Sequence, residues 1–203
     1  MDLDFWLLDK EKQQIFLLAA TFWTLLFAQV CCFIHPNLKP EAKIWDIRNR
    51  IVSFAHGLFV ICYSTYRLTW EMEYGETNYK YENTMINISM GYFFYDTFAM
   101  ILLNTHDTFI LVHHSIVVSG IYVCLLTNIA ATDIMAGFFI SEVSNPFMHI
   151  KEILKAYDLT STRFFLWNEI SFYVIYLIFR IPVGIPIVYD VCVSENSPVY
   201  MKF

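Results

Sequence analysis

Two adjacent histidines, His113 and His114, lie inside the run TFILVHHSIVVS at positions 108–119. Imidazole accepts, donates or relays a proton near neutral pH. It is costly to place in hydrocarbon, so an intramembrane histidine points to a functional site. On a helix of about 3.6 residues per turn, neighbouring side chains diverge by about 100°. The two rings are therefore not expected to share one ligand. One faces a cavity while the other bonds a neighbouring helix.

Four further ionisable residues fall within apolar runs: His56, Asp96, Glu142 and Arg180. Turned inward with the histidines, they would form a central chamber with apolar walls and a few convergent polar groups. Such a chamber suits an amphiphile, with its chain along the walls and its head at the polar cluster. The chemistry open to it is general-base catalysis. A neutral histidine takes a proton from an amine or hydroxyl, Asp96 orients the imidazole, and attack on an acyl thioester follows. Acyl-CoA would be the co-substrate, and no other cofactor is expected. A metal site needs three or more ligands in one shell with supporting groups behind them. No H-x₃-H or H-E-x-x-H pattern occurs, so no metal is expected.

Several of these residues also have plain structural readings. Asp96 and Arg180 fit an ion pair that fixes helix register as well as they fit a site. His56, beside Gly57, fits a helix-packing hydrogen bond. Glu142 with Ser144 fits a device that satisfies backbone freed by Pro146. Asp133 falls near a helix end. A proton relay through intramembrane Asp, His and Glu is a third possibility, but no inverted repeat accompanies them.

The elements that must position these residues follow from the hydrophobic pattern. Hydrophobic residues make up 57% of the chain and charged residues only 16%, which excludes an ordinary soluble domain. A net charge of −6 with no basic patch argues against a nucleic-acid partner. The expected fold class is all-α: a polytopic membrane protein built as a bundle of six transmembrane helices. The expected spans are 15–34, 51–70, 84–103, 108–127, 129–147 and 164–193, each long enough to cross a bilayer. Residues 1–14 read as an amphipathic lead-in, with Phe5, Trp6, Leu7 and Leu8 suited to the interface. No cleavable signal peptide is evident in them. Residues 35–50 read as a basic linker, 71–83 as an acidic loop, 148–163 as a basic amphipathic connector, and 194–203 as a polar tail. The run Pro182-Val183-Gly184-Ile185-Pro186 should kink or break the last helix. The five cysteines, Cys31, Cys32, Cys62, Cys124 and Cys192, lie in apolar runs without a C-x-x-C pair and read as buried small hydrophobes.

Six spans place both chain ends on one side, with Lys10, Lys12, Lys80 and Lys202. The other side carries Lys39, Lys43, Arg48, Arg50, Lys151, Lys155 and Arg163. Positive-inside reasoning puts that richer side in the cytosol or its equivalent.

In order along the chain, five segments resemble those of the TLC (TRAM–LAG–CLN homology) domain family. Trp45-Asp46-Ile47-Arg48, continuing to Ser53-Phe54-Ala55-His56, is similar to its W-x-x-R…S-x-x-H. Gly91-Tyr92-Phe93-Phe94-Tyr95-Asp96 resembles its G-Y-x-x-x-D, and His113-His114 its paired histidines. Glu142-Val143-Ser144-Asn145-Pro146-Phe147 is similar to its E-x-S-x-P-F, and Arg180 to its last-helix arginine. The resemblance covers roughly residues 43–189. It implies a six- or seven-helix bundle acting on membrane lipids, with His113 and His114 as the catalytic positions and Asp96 as their partner. Ceramide synthases carry a longer acidic signature after the pair, H-D-x-x-D, where this chain reads Thr132-Asp133-Ile134-Met135-Ala136-Gly137. In that respect the chain resembles the small TLC-domain-containing proteins, associated with membrane composition or lipid transport, more than the synthases.

The expected function is binding or processing of a membrane lipid in the chamber, with acyl transfer as the reaction. The alternative is a non-catalytic accessory subunit of a larger membrane assembly, its chamber holding one structurally bound lipid. The resemblance implies an endomembrane location; the accessory reading implies the mitochondrial inner membrane.

Overall fold

A computed structural model describes residues 8–38, 40–68, 74–105, 107–199 and 202. Phe5, Trp6 and Leu7 of the lead-in, Lys39, Trp70, and Glu71 and Glu73 of the acidic loop lie outside the described residues. The described chain is helical throughout, apart from turns and one isolated bridge between Thr77 and Ile129.

Helix α1 runs Lys10–Phe33 and starts where the Asp9 carboxylate accepts the Lys12 backbone N–H at 2.9 Å, an N-cap that satisfies one orphan donor. The basic residues 43–50 are not linker: α2 runs Glu41–Leu68, because nothing between Pro40 and Arg67 interrupts its pattern. Helix α3 is Lys80–Leu102 and α4 is Thr108–Thr127, the latter capped by Asp107 and ended by Asn128 in the left-handed region at φ 56°. The expected span 129–147 divides into α5, Ala131–Glu142, and α6, Asn145–Ala156. Pro146 lacks an N–H and fits the first turn of a helix, so it begins α6 and does not merely end α5. The expected connector is consequently helical as far as Ala156. Helix α7, Arg163–Ile178, passes through a π-helical turn, Phe179–Val183, into α8, Gly184–Val193. That turn contains Pro182, in keeping with a helix disrupted by its prolines.

By length and apolarity alone, four stretches among the described residues can cross a membrane: α1, α3, α4 and 163–193. Helix α2 and the α5–α6 pair complete the six-span bundle. Part of their polar content is turned inward, Asn49, Ser53, His56, Glu142 and His149 being buried.

Helix α1 packs on α3 and α2, α2 lies along both α5 and α6, and α4 packs on α3 and α5. Helices α1 and α3 approach closely at Gly91. A Cβ there would sit 2.7 Å from Ala19 Cβ and 2.8 Å from the Ala20 backbone nitrogen, so only glycine lets the two helices meet. The far end of the bundle is latched by polar side chains. Arg67 and Glu82 form a buried ion pair at 2.6 Å, and Arg67 also donates to Thr132 at 3.0 Å. Glu82 therefore belongs to the first turn of α3 and not to an exposed acidic loop. Asp133 accepts from the Gly75 backbone at 2.8 Å and from the Ser197 hydroxyl at 2.7 Å, which draws the C-terminal residues onto the bundle.

The cysteines are all free, but only Cys124 is buried; Cys32, Cys62 and Cys192 are exposed. In a membrane bundle the outer surface is apolar, so an apolar setting in sequence does not imply burial.

Candidate functional site

At the end of the bundle carrying Asp46 and Arg50, the helices enclose a chamber of about 240 Å³. Helix α2 supplies Asp46, Asn49, Arg50 and Ser53; α3 supplies Tyr92, Phe93, Asp96 and Met100. Helix α4 supplies Ile110, His113 and His114, and the α5–α6 break supplies Glu142, Asn145, Met148 and His149. Of the expected site residues, Asp96, His113, His114 and Glu142 thus line one cavity.

Asp96 is buried and held on several sides. Asn49 Nδ2 donates to its Oδ1 at 2.6 Å, and the Tyr92 hydroxyl donates to it as well. Asn49 is itself fixed, since its Oδ1 accepts the Tyr95 hydroxyl at 2.7 Å. Across the chamber, His114 Nε2 stands 3.6 Å from Asp96 Oδ2, beyond hydrogen-bond length. His114 Nδ1 lies 3.2 Å from Thr97 Oγ1, and that hydroxyl donates its proton to the Phe93 carbonyl at 2.7 Å. With its one proton on that carbonyl, Thr97 can accept from Nδ1–H, the tautomer that leaves the Nε2 lone pair of His114 facing the chamber. Thr97 thus contacts one ring nitrogen of His114, and the Asp96 carboxylate stands opposite the other. The carboxylate faces the nitrogen that would take up a proton, where it can stabilise the imidazolium.

His113 points away from its neighbour, with ring centroids 5.9 Å apart, and is exposed at the chamber edge. This matches the divergence of adjacent residues on a helix. Glu142 is buried, accepts Asn145 Nδ2 at 2.8 Å, and has its Oε2 3.7 Å from where a Gly57 side chain would begin.

Two expected residues stand outside the chamber lining. His56 is buried behind it, stacked on Tyr92 at 3.7 Å and 3.2 Å from the Ser89 hydroxyl, a packing arrangement. Arg180 lies on the π-helical turn, a feature frequent at functional sites. Its Nη2 is 3.4 Å from the Ser141 carbonyl and its guanidinium lies 5.2 Å from the Tyr176 ring centroid. It does not pair with Asp96, though its charge bears on Glu142 and His113.

Sequence reasoning missed Thr97, Asn49, Tyr92 and His149 as site residues. Tyr92 and Asn49 stand within the very segments that carried the resemblance. His149 was legible once a helix is started at Asn145-Pro146, because Asn145 and His149 then share a face at i, i+4. Among the described residues no three metal-ligating side chains converge.

A family model described as TLC domain matches residues 41–202. The chain is 25% identical over 144 residues to TLC domain-containing protein 2 of Danio rerio, covering 68% of this chain and 58% of that protein. It is 26% identical over 146 residues to TLC domain-containing protein 1 of Gallus gallus, covering 68% and 57% respectively. It thus spans somewhat over half the length of these relatives. No solved structure matches it. Helix α1 precedes the matched segment, and everything that lines the chamber lies inside it. With its paired histidines, its helical membrane bundle and most of its length matched, the chain belongs to the TLC domain family.

Proposed function

We propose that this protein binds a membrane amphiphile with its polar head in the chamber and acts on that head through His114. The observation that supports this most is the His114–Asp96 arrangement. A histidine oriented through Nδ1 keeps its Nε2 lone pair open inside the bundle, and a fixed carboxylate waits 3.6 Å away. A hydroxyl or amine placed between them can pass its proton to Nε2 while Asp96 stabilises the charge formed.

The reaction we propose is acyl transfer. The lipid's hydroxyl or amine loses its proton to His114, attacks the carbonyl of an acyl-CoA thioester, and the proton passes to the departing thiolate. The chamber is smaller than a typical drug-sized pocket. It would admit the reacting ends of both molecules and leave the nucleotide outside, at the end of the bundle bearing Lys43, Arg48 and Arg50.

The test is the lipid composition of cells carrying His114→Ala or Asp96→Asn at wild-type protein level. An altered acyl profile is expected in both. An unchanged profile with folded protein removes the reading.

The accessory-subunit reading gains nothing from the C-terminal residues. Asn196 donates to Glu76 at 2.9 Å and Ser197 to Asp133 at 2.7 Å, so their partners lie within the chain. Deletion of residues 195–203 separates the two: loss of a larger assembly with the bundle intact would favour the accessory role.

A further inference from the structure

An amphiphile whose head reaches His114 must lead its tail out of the chamber, and two apolar cavities are candidates. The larger, about 550 Å³, lies between α1, α2 and α3. It shares no lining residue with the chamber. Between them stands a wall of rings: Trp23 is 5.5 Å from both His56 and Tyr92, which are stacked on each other at 3.7 Å. Trp23 is further pinned by its Nε1–H to the Ile88 carbonyl at 3.3 Å.

The smaller cavity, about 240 Å³, lies between α3 and α4 and shares Phe93 and His114 with the chamber. Its other walls are Phe94, Phe98 and Val118, together with the hydroxyl residues Thr97 and Ser115. Both hydroxyls are spent on backbone carbonyls, Thr97 on Phe93 at 2.7 Å and Ser115 on Leu111 at 2.8 Å. The groove is therefore apolar in effect. It opens outward, where Phe98 is 58% exposed on the face of the bundle that meets lipid.

We propose that the α3–α4 groove holds a single acyl tail of the amphiphile whose head occupies the chamber, and that Phe94, Phe98 and Val118 select the tail. The proposal rests on the lipid reading of the chamber. His114 is then the point where head meets tail, with its ring forming a wall of both compartments. A tail moving from bilayer to groove exchanges one apolar surrounding for another. Selection comes from how well the ring edges and Val118 fit it, through many small dispersion contacts.

The probe is palmitic acid carrying a terminal diazirine, photolysed on the purified full chain in lipid nanodiscs, with labelled peptides identified by mass spectrometry. Labelling is expected on α3 and α4 around Phe98 and Val118, and competition by unlabelled palmitate should remove it. Val118→Trp should lower that labelling about tenfold, a loss near 1.4 kcal/mol of binding, while Leu26→Trp in the larger cavity should leave it unchanged. Competable labelling on α1 that Leu26→Trp abolishes and Val118→Trp spares would overturn the groove and leave the chamber reading standing. No competable labelling anywhere in the wild type would sink both. Should Val118→Trp fail to fold, the wild-type label map decides alone.

Discussion

Thr97 Oγ1 lies 3.2 Å from His114 Nδ1, while the Asp96 carboxylate stands 3.6 Å from Nε2 of the same ring. Thr97→Val keeps the shape of the side chain and removes the acceptor. A neutral hydrogen bond contributes about 1 kcal/mol net, so the fold should persist. The Nδ1–H tautomer should lose its dominance, read from the ring nitrogen shifts of labelled histidine. A tautomer unchanged in Thr97→Val would show that another group orients the ring.

Asp96 depends on donors from two helices. Asn49→Leu removes the donor at 2.6 Å and leaves the Tyr95 hydroxyl without its acceptor. Stripping partners from buried polar groups costs about 1–3 kcal/mol each. The melting temperature in detergent should fall, and Tyr95→Phe in the same chain should recover part of the loss. Strict additivity of the two substitutions would argue that the three side chains do not act as a unit.

Gly91 is the notch for α1. Gly91→Ala places a methyl group 2.7 Å from Ala19 Cβ and 2.8 Å from backbone that cannot move aside. Overpacking of this kind costs about 1–3 kcal/mol. Gly57→Ala, whose Cβ would meet nothing closer than 3.7 Å, should be far milder. Comparison of the two by thermal unfolding checks the α1–α3 contact.

The buried Arg67–Glu82 pair makes a prediction of opposite sense for single and paired changes. Arg67→Met leaves a buried carboxylate without its counter-ion, at a cost of about 3–5 kcal/mol. Adding Glu82→Gln should restore most of that, because the amide still accepts the Tyr79 backbone N–H that opens α3. A double variant no better than Arg67→Met would mean that the charge itself is needed.

How much of this was legible beforehand can be argued from particular residues. The span at 108–127 coincides with α4, because its hydrophobic run is uninterrupted and Asp107 and Asn128 mark its ends. The gathering of His113, His114, Asp96 and Glu142 at one cavity follows from turning costly groups away from lipid. The α5–α6 break was read as an end because an Asn-Pro step can start or stop a helix, and only packing against α2 shows which. With α6 unrecognised, His149 had no place at the site. Spacing can bring a carboxylate near an imidazole, but which ring nitrogen it faces depends on a Thr97 rotamer that no pattern encodes. His56 and Arg180 were ionisable residues in apolar runs like the others. Stacking on Tyr92 and a π-helical turn set them outside the lining.

The central claim is that the chamber holds a lipid head against His114, and native mass spectrometry of the purified chain tests it most directly. Wild-type protein released from gentle detergent should carry a bound acyl lipid in fixed ratio. His114→Ala and Asp96→Asn should lose it or exchange it for another, with unfolding temperatures close to wild type. A wild-type chain that flies without lipid, or variants that retain the same lipid in the same amount, would contradict the account.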